Sequence, residues 1–257
     1  MQQLIPDHAA PGATTIALIG DFDGAFPPHL ATQAACAHGA TALSTAVVAH
    51  WIPTTDATVD SICDCSGIWI APGSPYKSLE NTLALIRYAR QQHLPCLGTC
   101  GGFQHIILEY ARNALGYREA QHAEYDPYAS DLFVSRLHCS LVGRRLRVEI
   151  APGSRVAAIY GTTKVDETYY CDFGLNRQKV KLLSQGPLKM TGWDSEGEVR
   201  IVELPDHPFF IGTLFVPQLR SSHERPHPLV KSFLAAAILH RFAGGHAENP
   251  TIPAIAE

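Results

Sequence analysis

The sequence predicts an α/β fold, a mostly parallel sheet flanked by helices, with a second half richer in strands. Three observations predict it. Short continuous apolar runs alternate with segments of helical periodicity over the first half, the pattern of strands buried on both faces and joined by crossover helices. Two of those runs lead into glycine-containing loops, Ala71-Pro72-Gly73-Ser74-Pro75 and Gly98-Thr99-Cys100-Gly101-Gly102. From Leu132 onward, strand-like runs dominate until a closing helical pattern.

Taken in order, Thr15 to Gly20 (TIALIG) is an apolar run stopped by glycine and reads as the first buried strand. Phe26 to His38 has helical spacing, with Gly39 as its stop signal. Ala42 to Trp51 and Gly67 to Ala71 read as further strands. Leu79 to Gln92 reads as a helix burying Leu83, Leu85, Ile86 and Tyr88. Pro95 to Gly98 is a short strand, and Gly102 to Leu115 the helix that follows it. Leu132 to Val134, Leu146 to Ile150, Ala157 to Tyr160, Val199 to Glu203 and Phe209 to Leu214 read as strands, and Pro228 to Phe242 as a last helix. No internal repeat divides the chain, so one domain over 15–242 is expected, between tails at 1–14 and 243–257. Right-handed crossovers bring the carboxyl ends of the parallel strands to one sheet edge, where open α/β sheets bind ligands.

Composition narrows the function. Of 257 residues, 46% are apolar and 17% charged, which suits a globular chain with a large core. A net charge of −4 gives no footprint for nucleic acid. No apolar run is long enough to span a bilayer, and the first residues lack the pattern of a signal peptide, so a cytoplasmic location is expected. The seven cysteines lack zinc-site spacing. Cys36, Cys63, Cys96, Cys139 and Cys171 read as reduced, mostly buried thiols. His122, His223 and His227 do not share a metal-binding helix face, and no phosphate-binding loop is present, so neither metal nor cofactor is expected.

The loop Gly98 to Gly102 carries the chemistry. A cysteine between an apolar strand and a helix, with glycines beside it, has the character of a nucleophile elbow. The sulfur stands at a helix N-terminus, where the dipole and free N–H groups favour negative charge on it. The N–H of Gly101, with one from Gly73 or Ser74, can hold the charge that develops on a substrate oxygen.

Two long stretches now show a likeness. Ser66 to Pro75 (SGIWIAPGSP) and Leu79 to Tyr117 (LENTLALIRYARQQHLPCLGTCGGFQHIILEYARNALGY) closely resemble the class I glutamine amidotransferase domain of CTP synthases. Val202 to Leu229 (VELPDHPFFIGTLFVPQLRSSHERPHPL) resembles the C-terminal segment of the same domain, and TIALIG its first strand. The chain is also similar to a standalone group of CTP-synthase-like proteins with the Cys-Gly-Gly-Phe-Gln stretch. The resemblance implies a flavodoxin-like amidotransferase fold, a thioester on Cys100, oxyanion donors at Gly101 and at Gly73 or Ser74, and substrate contacts from Gln104 and Glu124. The synthase's amidoligase domain has no counterpart in these residues.

Three positions depart from the family. Its Phe-His-Pro-Glu, which supplies the histidine and glutamate partners of the cysteine, reads Phe215-Val216-Pro217-Gln218 here. Its arginine-rich stretch, which holds the glutamine carboxylate, corresponds to Val165 to Asn176, which has tyrosines and no arginine before Arg177. Gly101 stands where leucine is usual. Several residues are candidates to replace the missing partner or line a changed pocket: Glu124 as proton carrier; Asp21 and Asp23 after the first strand; His105, His223 and His227; Tyr169 and Tyr170, with Trp193, as pocket walls. Three functions follow: a cysteine-dependent hydrolase or transferase acting on a C–N bond of a small molecule other than glutamine; a glutaminase delivering ammonia to a separate synthetase; or a silent binding or regulatory protein. Amphipathic surface helices allow a homodimer.

Overall fold

The computed structural model describes residues 13–244. The expected tails fall largely outside that range. Twelve strands and six helices follow in order: β1 Thr14–Ile19, α1 Pro27–Ala42, β2 Val47–Ile52, β3 Gly67–Ile70, α2 Leu79–Gln91, β4 Cys96–Thr99, α3 Gly101–Glu109, β5 Gln121–His122, β6 Leu132–Arg136, β7 Arg145–Ile150, α4 Arg155–Tyr160, β8 Lys164–Thr168, β9 Phe173–Leu175, α5 Val180–Leu183, β10 Lys189–Trp193, β11 Val199–Glu203, β12 Phe210–Thr213 and α6 Pro228–Phe242. Nine strands form one sheet in the order β2-β1-β3-β4-β12-β11-β10-β7-β8, and β5, β6 and β9 form a small second sheet. The first five strands of the large sheet run parallel and the rest antiparallel. This is the mixed α/β architecture the sequence predicts. No described helix is long and apolar enough to cross a membrane.

The centre of the sheet is β3, β4 and β12, every residue of which is buried. Their runs GIWI, CLGT and FIGT show why: parallel strands covered on both faces need no polar alternation. Trp69 is the largest buried side chain there and donates its indole N–H to Thr99 Oγ1 at 3.0 Å. Helix α2 is tied to α3 by Arg90 and Glu109, whose buried carboxylate takes two guanidinium bonds of 3.0 and 2.8 Å.

The structure differs from the sequence reading in three places. Ala157 to Tyr160 lies in a helix, not a strand. Ser154 Oγ caps α4 by accepting from Ala157 N, and Gly161 closes it in the left-handed region at φ 67°. A short capped turn outweighs four apolar residues in a row. Helix α1 runs through Gly39 to Ala42. Gly39 lets α6 approach, since a Cβ there would lie 2.6 Å from Leu234 Cδ1. Strands β8, β9 and β10 carry too little apolar periodicity to be seen; β8 (KVDET) is an edge strand with polar positions facing out.

Gly98 and Gly102 are set by close approach. A Cβ on Gly102 would stand 2.1 Å from Ile70 O of β3, and one on Gly98 would stand 2.6 Å from Ile106 Cδ1 and 2.8 Å from the Gly102 backbone. Backbone cannot yield as a side-chain tip can. Gly102→Ala is expected to lower stability by more than about 3 kcal/mol in urea denaturation. Gly39→Ala displaces only Leu234 and gains about 1 kcal/mol of helix propensity, so its net change is expected to stay within about 1 kcal/mol.

Candidate active site

Cys100 joins β4 to α3 with φ 51° and ψ −104°, in a region a side chain rarely adopts. Its N–H is held by Thr213 O of β12 at 2.9 Å, and its carbonyl accepts from Gln104 N at 3.2 Å. The sulfur lies at the floor of a cavity of about 440 Å³. Asp21, Asp23, Phe26 and His29 come to it from the segment after β1. Gly73, Ser74, Pro75 and Lys77 come from the loop after β3. Gln104, Glu124, Val142 and Tyr170 to Phe173 complete the lining.

The loop after β3 lies against the elbow. A Cβ on Gly101 would be 3.1 Å from Ser74 N and 3.2 Å from Ser74 Oγ, so a leucine there would displace the loop. Gly73 has φ 98°, and a Cβ on it would meet His29 Nε2 at 2.9 Å. The Gly73 and Ser74 N–H groups have no hydrogen-bond partner among the described residues, and Gly101 opens a helix, where N–H groups are free by construction. Gly73 and Ser74, with free backbone N–H groups among the described residues, thus line the same cavity as Cys100.

Behind Cys100 the polar groups satisfy one another. Gln104 Oε1 accepts from Ser74 Oγ at 3.2 Å and pairs with His122 Nε2 at 3.0 Å, while Gln104 Nε2 donates to Phe173 O at 2.9 Å. His122 Nδ1 accepts from Glu124 N at 3.1 Å, which leaves its Nε2–H to donate to Gln104. His105 Nδ1 pairs with Gly101 O at 2.7 Å and its Nε2 with Tyr125 OH at 2.9 Å. Burial pushes His105 down to about 4 and His122 down to about 2, the latter also disfavoured by His105. Both stay neutral and act as props. Glu124 differs. Its Oε2 is buried without a hydrogen-bond partner, and burial raises its pKa above the ordinary carboxylate value, with the Ser74 hydroxyl partly opposing and Asp172 adding to the rise.

The remaining candidates divide. Tyr170 is at the wall; its carbonyl lies 3.3 Å from Cys100 Sγ and its ring meets the edge of Phe26. Asp21 and Asp23 also line the cavity, but their oxygens bind local structure. Asp21 accepts from Thr54 N, Thr54 Oγ1 and Lys77 N, and Asp23 from Ala25 N in a tight turn. Four expectations are corrected. Tyr169 is fully buried on the far side, between Arg200 and Phe215, because strand alternation turns it away from Tyr170. His223 is exposed outside the cavity. His105 lies behind the elbow and does not reach the cavity wall. His227 caps α6 and pairs with Glu167 at 3.1 Å, away from the cavity. Val216 is buried with its N–H on Thr168 O, and Gln218 Nε2 donates to Thr32 Oγ1 at 2.9 Å and Thr99 Oγ1 at 3.3 Å.

The sequence reading passed over His29, Lys77 and Asp172, which carry no motif and meet only through the fold, and weighed His122 only as a metal ligand. It also set Cys171 among the inert thiols. That sulfur lies 2.6 Å from Cys100 Sγ and 2.9 Å from Leu214 O.

The family model for class-I glutamine amidotransferases matches residues 31–236. The chain belongs to that family. Among curated relatives of this amidotransferase, a CTP synthase of Nitratidesulfovibrio vulgaris is 30% identical over 251 residues, covering 88% of this chain and 46% of the relative. A CTP synthase of Cytophaga hutchinsonii is 31% identical over 236 residues, covering 86% and 44%. The chain therefore spans just under half the length of these relatives. The glutaminase domain of Trypanosoma brucei CTPS, solved with bound acivicin, superposes with a TM-score of 0.79 at 22% identity, covering 87% of this chain and 93% of that one, and so shares the fold.

The buried neutral histidines set the acid limit of stability. Below about pH 6.5 the unfolded chain takes up protons on His105 and His122 that the folded chain refuses. Stability is expected to fall as pH drops from about 6.5 toward 4, each histidine contributing about 1.4 kcal/mol per pH unit well below 6.5. Urea midpoints at pH 7, 6 and 5 measure this. His122→Gln, whose amide can still donate to Gln104, is expected to reduce the slope by one proton.

Proposed function

We propose that this protein is a cysteine-dependent hydrolase or transferase that opens a C–N bond of a small molecule other than glutamine. The observation that carries the reading is the combination within one cavity of Cys100 on its elbow and Glu124, whose unpartnered Oε2 and raised pKa suit a proton donor. Cys100 attacks the carbon of an amide or related group. Charge developing on the substrate oxygen is taken by the N–H of Gly101 and of Gly73 or Ser74. Protonated Glu124 gives its proton to the departing nitrogen, leaving a thioester. Water or an acceptor amine then attacks, Glu124 takes back a proton, and Cys100 is released as thiolate.

The lining argues against glutamine as the substrate. Asp21, Asp23 and Asp172 line the cavity, with Lys77 as the one Lys or Arg in its wall among the described residues. An α-carboxylate entering there meets like charge, whereas a neutral or positively charged group does not. Asp172 lies in the stretch where the family's arginines are expected. A second reading, a glutaminase feeding ammonia to a separate synthetase, is supported by the likeness to CTP synthases over their amidotransferase part.

A panel of small amides, nitriles and amine-bearing amides, with glutamine included, separates the two. Cys100→Ala is expected to reduce turnover of the true substrate at least about 10³-fold. Glu124→Gln is expected to reduce kcat about 10²- to 10⁴-fold. With Glu124 as the acid, the wild-type rate declines as pH rises through its raised pKa, and Glu124→Gln loses that decline. Glutamate release from glutamine exceeding every other turnover would decide for the second reading, and turnover that survives Cys100→Ala would end both.

A further inference from the structure

The cavity floor holds two sulfurs. Cys100 Sγ and Cys171 Sγ are 2.6 Å apart, well inside van der Waals contact and about 0.6 Å beyond a disulfide bond. Cys100 is 5% exposed and Cys171 2% exposed; both line the cavity, and the Cys171 sulfur is also bonded to Leu214 O. Cys171 comes from the segment between β8 and β9, remote in sequence from the elbow, so neither local chain geometry nor a shared turn accounts for the contact. A hydrophobic thiol filling a core gap needs no such approach to another sulfur. The arrangement puts two sulfurs at one cavity, the second close enough to displace what the first acquires from a small oxidant.

We propose that Cys100 and Cys171 form a reacting dithiol whose oxidising co-substrate is a hydroperoxide, with Cys100 as the attacking and Cys171 as the resolving thiol. The Cys100 thiolate attacks the distal oxygen of the peroxide; the O–O bond breaks, an S–O bond forms, and alcohol or water leaves. Cys171 sulfur then attacks Cys100 Sγ, its proton joins the departing hydroxide as water, and the S–S bond forms. Two electrons pass from the thiol pair to the peroxide. The oxidised form lacks the nucleophile of the amidotransferase chemistry, so the same pair places that chemistry under redox control. Burial and the neighbouring Cys100 hold Cys171 in its protonated form in the reduced protein, which keeps it a donor to Cys100 until that sulfur is oxidised. Cys36 and Cys65, pushed up to about 12 by burial, and the exposed Cys63 and Cys139 serve as internal controls. The proposal requires Cys100 to be reactive but no particular substrate.

The test adds one molar equivalent of hydrogen peroxide to the full chain, blocks remaining thiols with iodoacetamide under denaturing conditions, and reads the digest by mass spectrometry. The expected result is loss of two of the seven thiols and a link between the Cys100 and Cys171 peptides that dithiothreitol removes. In Cys171→Ala, Cys100 is expected to stop at a sulfenic acid that dimedone traps. Should that variant fail to fold, the wild-type digest decides alone. Oxidation first at Cys63 or Cys139, a sulfinic acid at Cys100 with Cys171 still free, or no change at Cys100 would each overturn the proposal. Failure of the hydrolase reading leaves the link unaffected, and absence of the link leaves turnover by the reduced protein in place.

Discussion

Helix α3 begins closer to the sheet than a side chain allows. Gly98 and Gly102 permit the approach, and the chain has to pass from strand to helix over the three residues between them. Cys100 takes the positive φ because its carbonyl must start the helix while its N–H stays on Thr213. Strain at a single residue of this kind is of order 1–3 kcal/mol and persists only where surrounding packing over-determines it. Here the packing is the wholly buried β3, β4 and β12 on one side and the fully buried α3 on the other. The cavity, the gathered N–H groups and the approach of the segment after β8 all depend on where that turn leaves the sulfur.

Val216 and Gln218 show how a buried pair of positions stays stable without ionisable groups. Where the family pairs histidine with glutamate, this chain has Val216 and Gln218. A carboxylate left there without its imidazole partner would be an unpaired buried charge, strongly unfavourable inside a protein. Glutamine keeps the shape and is neutral. Its Nε2 finds Thr32 and Thr99, and the partnerless Oε1 is a modest penalty beside that of an ion. Valine adds only apolar burial. The two changes fit each other, and the space beside Cys100 is taken by the Cys171 thiol.

The fold was legible because its central strands are apolar throughout and its helices keep their period. The elbow was legible for a stronger reason: glycines around a cysteine between strand and helix have few other uses. Glu124, Gln104, Gly73 and Ser74 meet at the cavity through loops that the amidotransferase likeness had already brought together. What could not be read is what tertiary structure alone decides. Tyr169 and Tyr170 are adjacent letters with opposite directions, and only the pairing of Tyr169 with Phe215 fixes which one faces the sulfur. Cys171 looked like any small buried hydrophobe, since its partner is 71 positions away. α4 was lost because four apolar residues fit either a strand or a capped turn, and caps act from outside the run.

The division between satisfied and unsatisfied groups says how such a site can act. Gln104, His105, His122, Asp21 and His29 all find partners among backbone or neighbouring side chains, so using any of them in proton transfer would first break a buried bond. A buried hydrogen bond lost without replacement leaves a desolvated group costing about 1–3 kcal/mol, a barrier added before any chemistry begins. Glu124 Oε2 and the backbone N–H groups of Gly73 and Ser74 carry no such penalty, because they have no partner to lose among the described residues. Groups left in that condition at a cavity wall gain most when a ligand supplies the missing bond. The proposed chemistry therefore rests on a sulfur, a few backbone donors and one carboxyl, with the neutral histidines hydrogen-bonded around them.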